Sequence, residues 1–203
     1  MKIICIGRNY SDHIRELSNV KPSNPVVFLK PDSSIIAKNQ NFIIPSFSDD
    51  IHHEVELIIK INRVGKHIDK AFSNKYFNEI GLGIDFTARD LQNNLKKDGH
   101  PWEKSKAFDN SCLVGDFINK DKFQNLSNIE FCMKKNNQIV QSGNSSEMIW
   151  NMDELISYVS QYFTLKIGDL IFTGTPAGVS SVKTGDFLEG FINSDQMFSL
   201  KVK

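Results

Sequence analysis

The sequence predicts a mainly β, α+β fold with a few short helices. Ten short runs of apolar or β-branched residues are separated by turn-forming residues, a pattern that is typical of strands. Asn136 and Asn137 separate two of these runs, as in a tight hairpin whose turn tolerates positive φ. Only three segments have a helical pattern. Strands therefore form most of the predicted structure.

The predicted elements cover the whole chain. The ten strands are predicted at residues 2–6, 26–29, 42–44, 54–61, 80–86, 128–133, 138–142, 169–173, 186–190 and 197–202. Helical periodicity predicts three helices at residues 70–79, 88–98 and 153–163, the second with Thr87 as its cap and Gly99 as its terminator. No internal repeat or linker interrupts this series. We expect a single domain over residues 1–203.

Composition excludes several classes of partner. The 203-residue chain has 24 Lys and Arg residues and 24 Asp and Glu residues, so no net charge favours nucleic acid or an anionic membrane. A small molecule is the expected partner. The three cysteines, Cys5, Cys112 and Cys132, show no metal-binding or redox spacing and are expected to be buried free thiols. No signal peptide or membrane-spanning run is evident at the sequence level, so a cytoplasmic location is the expectation.

Three carboxylates in strand-like surroundings suggest a site for a hard cation. Glu54 and Glu56 alternate with Val55, so in a strand their side chains point to the same side. Two buried anions repel each other, and a divalent ion with oxygen ligands removes that cost. Asp85, in a second strand-like run, is the candidate third ligand. His52 shares the face of the two glutamates by parity, so a zinc or iron site with a histidine ligand is an alternative.

Other polar residues supply the functional groups of a catalytic site. His13 and Glu16 are three residues apart, which on one helical turn makes them a candidate general-base pair. Arg89 and Gln92 lie on one face of the helix that follows Asp85, and both can donate hydrogen bonds to a developing oxyanion. Lys106 precedes an apolar stretch, so we expect its side chain to be partly buried. The Thr175 hydroxyl and nearby backbone N–H groups, in a segment where Gly174 allows close approach, can bind a carboxylate.

Six motifs in order carry a resemblance to a known family. They are Gly7-Arg8-Asn9-Tyr10 with Asp12-His13, Phe28-Leu29-Lys30-Pro31, the run 52–57, Asp85-Phe86-Thr87-Ala88-Arg89-Asp90 with Gln92, Pro101-Trp102 with Lys106, and Gly168-Asp169 with Thr173-Gly174-Thr175-Pro176. With these motifs the chain resembles the fumarylacetoacetate hydrolase superfamily, nearest to its acylpyruvate hydrolase and oxaloacetate decarboxylase branch. The resemblance spans nearly the whole chain.

The resemblance implies a fold, a cofactor and a set of residue roles. The fold is a rolled, mixed β-sheet of the fumarylacetoacetate hydrolase C-terminal domain type, usually in a homodimer. The cofactor is Mg²⁺ or Mn²⁺, with Ca²⁺ as a further possibility, and its implied ligands are Glu54, Glu56 and Asp85. His13 with Glu16 would activate water, and Lys106, Arg89 and Gln92 would stabilise negative charge. The substrate would be bound by Thr175, Gly174, Lys30 and Arg8.

The implied reaction is metal-dependent cleavage of a C–C bond in a small 2-oxo acid. The two forms of this reaction are hydrolysis of acylpyruvates to pyruvate and a carboxylic acid, and decarboxylation of oxaloacetate; both give a pyruvate enolate. Two alternatives stay open at this point. One is an isomerase, hydratase or decarboxylase of unsaturated 2-oxo diacids in aromatic catabolism. The other is a non-catalytic β-protein with a structural Ca²⁺ site.

Overall fold

The computed structural model describes residues 1–203, and strands form most of its regular structure. Thirteen strands are present, in chain order β1 (Ile3–Gly7), β2 (Val26–Lys30), β3 (Ile51–His53), β4 (Val55–Ile61), β5 (Phe77–Asp85), β6 (Thr87–Ala88), β7 (Cys112–Asn119), β8 (Glu130–Lys135), β9 (Gln138–Asn144), β10 (Leu170–Phe172), β11 (Ser180–Ser181), β12 (Phe187–Ile192) and β13 (Asp195–Lys201). Four α-helices join them, α1 (Ser11–Glu16), α2 (Arg89–Lys97), α3 (Glu103–Lys106) and α4 (Met152–Tyr162). None of these helices combines the length and the apolar composition needed to cross a bilayer. The mainly β prediction is confirmed.

The strands form three sheets. The largest has six strands in the order β2-β1-β10-β4-β5-β7, and only its β1 and β10 pair is parallel. A four-stranded antiparallel sheet has the order β13-β12-β8-β9, and a small third sheet has the order β11-β3-β6. One cluster of 34 buried apolar side chains contains residues from both larger sheets and from α4, which begins at an Asn151 and Glu154 capping box. This shared core fixes the sheets against each other.

The six-stranded sheet brings the predicted carboxylates together. β4 is buried along almost its whole length and pairs with β5 in an antiparallel manner, with Val55 opposite Ile84 and Glu56 opposite Gly83. The backbone N–H of Asp85 donates a 2.8 Å hydrogen bond to the carbonyl oxygen of Glu54. Residues 54, 56 and 85 are therefore neighbours because of strand register, although they are far apart in sequence.

Several element boundaries differ from the predictions. The predicted strand 54–61 begins at Val55, because Glu54 is the irregular residue between β3 and β4. Residues 42–44 form no strand; only Phe42 makes an isolated bridge, to Val202. The predicted helix 70–79 is a 3₁₀ turn that ends at Tyr76, because Phe77 begins β5 and tertiary pairing outweighs local helix propensity there.

One further prediction about local structure was wrong, and one long strand was missed. Thr87 does not cap α2, because it belongs to β6 and pairs there with His52 of β3. Ala88 is the residue before the helix, and it has no side chain that could cap it. β7 was not predicted, since Gly115 and Asp116 interrupt its apolar run. A Cβ at Gly115 would lie 2.5 Å from the carbonyl oxygen of Leu82. The glycine that interrupts the apolar pattern is therefore the residue that lets β7 pack closely in the sheet.

Candidate active site

Three buried carboxylates form the centre of the candidate site. Ligand atoms of Glu54, Glu56 and Asp85 all lie within 4.8 Å of one another, and each residue is at most 4% exposed. Backbone groups help to hold them, because the N–H of Gly174, just after β10, donates a 2.7 Å hydrogen bond to Oε2 of Glu56. The predicted triad is thus assembled, and His52 lies outside it, against Asp50 at 3.0 Å.

The chemistry of this triad fits a hard divalent cation. Burial, followed by the charges of Asp85 and Glu54, raises the pKa of Glu56 well above its usual value. Oδ1 of Asp85 is buried and accepts no hydrogen bond; Nζ of Lys30 lies 2.7 Å away at an ion-pair distance without hydrogen-bond geometry. Three convergent carboxylates with a free acceptor offer the all-oxygen ligand set that Mg²⁺, Mn²⁺ and Ca²⁺ take.

Besides Lys30, two cationic side chains contact the triad. Lys106, at the end of α3, donates to Oε2 of Glu54 at 2.6 Å and to Oδ2 of Asp85 at 2.7 Å. Arg89, the first residue of α2, forms an ion pair with Oε1 of Glu54. Burial alone would raise the pKa of Glu54, but Lys106 and Arg89 outweigh it and hold this pKa well below its usual range. Glu54 is therefore an anion in the folded protein.

The predicted histidine and glutamate pair lies at the same cleft. Nδ1 of His13 is 3.2 Å from Oε2 of Glu16, and both belong to α1, which follows β1 directly. Oε1 of Glu16 accepts a 2.9 Å hydrogen bond from the N–H of Gly178, so the carboxylate is held at both oxygens. Burial is the main cause that lowers the pKa of His13, while Glu54 and Glu16 oppose it. The imidazole is consequently a neutral base near pH 7.

Gln92 and Thr175 present polar groups to the cleft in orientations that their partners determine. Oε1 of Gln92 accepts a 2.6 Å hydrogen bond from Nη1 of Arg89, which leaves the Gln92 amide N–H groups as donors. Oγ1 of Thr175 accepts a 2.8 Å hydrogen bond from Nε2 of Gln141. The Thr175 hydroxyl proton therefore remains available to a ligand.

Gln141 orients Thr175 through a buried chain of hydrogen bonds. Its Oε1 accepts from the N–H of Val55 at 3.0 Å and contacts Nδ1 of His53 at 2.9 Å, and its Nε2 also donates to the carbonyl oxygen of Pro176. These backbone partners determine which end of the amide is oxygen. Nε2 of His53 contacts Oγ of Ser180 at 2.8 Å, and burial lowers the pKa of His53 to about 4. His53 is therefore neutral and donates from Nδ1 to Gln141.

Nine of the twelve predicted site residues line one cleft: Arg8, His13, Glu54, Glu56, Asp85, Arg89, Gln92, Lys106 and Thr175. Glu16 contacts this group through His13. Two predicted substrate contacts, Lys30 and Gly174, do not line this cleft. The Lys30 side chain is enclosed and donates at 3.0 Å to the carbonyl oxygen and to Oγ of Ser111, so it supports Asp85. The Gly174 N–H is occupied by Glu56.

The sequence alone did not identify three contributors to the site. Gln141 and His53 act at a distance from the cleft, and no local pattern marks them. Lys96 lines the cleft, and it could have been recognised because it follows Gln92 by one helical turn in α2. Trp102 also lines the cleft, and the Lys96 ammonium lies 5.5 Å from the centre of its ring.

Comparisons with known proteins agree with this geometry. The sequence profile of the fumarylacetoacetate (FAA) hydrolase C-terminal family matches residues 2–197. The mitochondrial oxaloacetate tautomerase FAHD1 of Bos taurus is 38% identical over 201 residues, which cover 99% of this chain and 91% of that protein. The mitochondrial oxaloacetate decarboxylase of Dictyostelium discoideum is 44% identical over 189 residues, covering 93% and 87%. The crystal structure of fumarylpyruvate hydrolase from Pseudomonas aeruginosa, in complex with Mn²⁺ and pyruvate, superposes with a TM-score of 0.93 at 30% identity, covering 100% of this chain and 89% of that one.

Proposed function

This chain belongs to the fumarylacetoacetate hydrolase family, and from that premise we propose that it is a divalent-metal-dependent enzyme that cleaves a C–C bond of small 2-oxo acids. Decarboxylation of oxaloacetate and hydrolysis of acylpyruvates are the two forms of this reaction. The observation that carries the proposal is the meeting of Glu54, Glu56 and Asp85 in the cleft that also holds His13. A structural Ca²⁺ site alone would not need a buried base beside it.

We propose Mg²⁺ or Mn²⁺ as the metal, held by the three carboxylates. When bound, such an ion supplies Lewis-acid polarisation of a 2-oxo acid through its carboxylate and keto oxygens. The ligand atoms are all oxygens, which suits either ion. The Mn²⁺ in the Pseudomonas fumarylpyruvate hydrolase structure supports the choice.

The protein side chains have separate tasks in the reaction. Thr175 donates its hydroxyl proton to the substrate carboxylate, because Gln141 occupies the acceptor position of that hydroxyl. His13, held by Glu16, takes a proton from water for acylpyruvate hydrolysis. Gln92 and Arg89 stabilise the oxyanion that forms when this water adds to the distal carbonyl. Decarboxylation needs no water, only binding of the substrate and a proton delivered to C3.

Keto–enol tautomerisation of oxaloacetate is a second candidate function. His13 is a neutral base in the cleft, and it can remove a proton from C3 and return it to oxygen without breaking a C–C bond. The name of the Bos taurus relative supports this reaction. Decarboxylation and tautomerisation both form a stabilised enolate, but only tautomerisation needs His13 to remove a proton from C3, and only decarboxylation loses the second carboxylate as CO₂.

One set of assays tests both candidates. The purified protein with Mg²⁺ or Mn²⁺ is mixed with oxaloacetate, and pyruvate formation and loss of enol absorbance are recorded separately. Acetylpyruvate is the hydrolysis substrate, and Glu54→Gln is the control. We expect metal-dependent turnover that the control lacks. Absence of all three reactions in the wild-type protein with either metal would refute the proposed function.

A further inference from the structure

Two cationic side chains of the cleft have no counter-ion. Arg8 and Lys96 line it together with Arg89 and Lys106. Arg89 and Lys106 form ion pairs with the carboxylates of the triad, and so does the enclosed Lys30. Arg8 and Lys96 take part in no ion pair and donate no side-chain hydrogen bond. Cationic side chains in a partly desolvated cleft are normally paired with anions. Arg8 and Lys96 have no such partner within the protein.

Lys96 faces the cleft because of its position in α2. It follows Arg89 by seven residues and Gln92 by four, so the three side chains lie on one stripe of the helix. Its ammonium lies 5.5 Å from the centre of the Trp102 ring. Burial, followed by the positive charges of Arg89 and Arg8, lowers the pKa of Lys96 to about 8. Arg8 and Lys96 therefore face the same space, and each lacks an anion there.

The backbone places Arg8 at some cost. Arg8 follows the last residue of β1 with φ of 61°, in the left-handed region that glycine enters freely and arginine does not. A strained residue in a cleft wall points to a functional requirement for its side chain. Arg8 lines the cleft and forms no ion pair with a carboxylate of the protein.

The charges of the site indicate what kind of ligand would complete it. Lys30, Lys106 and Arg89 pair with Glu54 and Asp85, whereas Glu56 forms no ion pair. A divalent ion together with Arg8 and Lys96 leaves the cleft strongly positive. A monocarboxylate such as pyruvate compensates only part of this charge, whereas a diacid brings a second carboxylate.

We propose that Arg8 and Lys96 form a subsite that binds the second carboxylate of a short 2-oxo diacid. The inference rests on the proposed function for the position of the first carboxylate. It identifies diacids of the oxaloacetate type, rather than 2-oxo acids with neutral tails, as the preferred substrate class. Arginine supplies a planar two-pronged donor and lysine a point charge, which together suit a carboxylate.

The experiment compares two unreactive 2-hydroxy acids that differ in the second carboxylate. L-Malate and L-lactate are titrated by calorimetry into the Mn²⁺-loaded wild-type protein, Lys96→Met, Lys96→Arg and Lys97→Met. Lys97 is the exposed neighbour of Lys96 in α2, so Lys97→Met removes the same charge outside the cleft. Arg8→Asn, which keeps a residue tolerant of positive φ, tests the other half of the subsite, with the exposed Arg15→Gln as its control.

We expect the wild-type protein to bind malate at least about tenfold more tightly than lactate, the effect of one charge-assisted hydrogen bond. Lys96→Met and Arg8→Asn should each reduce this preference by about tenfold and leave lactate binding unchanged, while Lys96→Arg and both controls retain it. A wild-type protein without preference for malate, or variants that weaken both ligands equally, would overturn the subsite. Malate preference without turnover of any 2-oxo acid would refute the proposed function alone.

Discussion

The ammonium of Lys106 donates a 2.6 Å hydrogen bond to Oε2 of Glu54. It donates a second one, at 2.7 Å, to Oδ2 of Asp85. A residue predicted to stabilise negative charge on the substrate thus contacts two predicted metal ligands. In the metal-free protein this ammonium compensates the charge that a divalent ion would also compensate, so lysine and metal compete for the same carboxylates.

Replacing Lys106 should separate stability from metal affinity. Lys106→Met leaves two buried carboxylates less compensated, which should lower the stability of the metal-free protein by roughly 3 kcal/mol. It should also tighten Mn²⁺ binding by about tenfold, because a competing positive charge is lost. Turnover should fall by about a hundredfold. Urea unfolding and Mn²⁺ titration measure the first two effects, and the exposed Lys104→Met is the control. Weaker metal binding in Lys106→Met would contradict this competition.

The position of the acid limb of the pH profile tests the role of His13. Because burial lowers the pKa of His13, its neutral form persists below pH 6.5, and activity should fall only as the imidazole gains a proton at lower pH. Glu16→Gln removes a charge that raises this pKa, so it should move the acid limb to still lower pH. His13→Ala should lower kcat by about a hundredfold or more and abolish the limb.

The measurement is kcat/KM against pH for the wild-type protein and both variants, with the exposed His100→Ala as a control. A limb that keeps its position in His13→Ala belongs to another group, and that result would remove His13 from the mechanism.

Much of this site was predictable from sequence, and the reasons are local. Strand alternation places Glu54 and Glu56 on one side, and helix geometry brings His13 to Glu16. Asp85 was predicted as the third ligand from its strand-like surroundings, and its contact with Glu54 follows from the observed pairing of β4 with β5. These predictions needed only short-range patterns or one strand pairing.

The rest depends on packing that no local pattern encodes. Lys30 and Lys106 both occur in the matched motifs, yet only Lys106 reaches the cleft, because the Lys30 ammonium is enclosed beside Ser111. Gln141 belongs to β9 of another sheet and reaches Thr175 only after the sheets pack together. Strand β7 was hidden by Gly115, whose role is visible only when Leu82 is placed against it.

Gln141 should affect substrate binding through Thr175. In Gln141→Glu the carboxylate can no longer donate to the Thr175 hydroxyl, so that hydroxyl turns its proton toward residue 141 and away from the substrate. We expect KM for oxaloacetate to rise by about tenfold with a smaller change in kcat. In a Thr175→Val background the same substitution should add little, which a double-mutant cycle measures. The exposed Gln138→Glu, on the same strand, is the control. Additive effects would show that Gln141 does not act through Thr175.

Removing the Lys96 charge should change the fate of oxaloacetate. Cations that hold the second carboxylate stabilise it as an anion and disfavour its departure as neutral CO₂, whereas proton transfer at C3 leaves it intact. Lys96→Met should therefore raise the ratio of pyruvate formation to tautomerisation. The expected rise is about threefold or more, which corresponds to losing about 0.7 kcal/mol of the stabilisation of the carboxylate anion. Both rates are measured in the same reaction. An unchanged or lower ratio would contradict the argument.

The central claim is that Glu54, Glu56 and Asp85 hold one divalent ion. Its most direct test is titration of the metal-free protein with Mn²⁺, with free Mn²⁺ counted by electron paramagnetic resonance. The account predicts one tightly bound ion per chain in the wild-type protein and its loss in Glu56→Gln, with the fold of that variant confirmed by circular dichroism. Equal Mn²⁺ binding by the wild-type protein and the folded variant, or no binding by either, would contradict it.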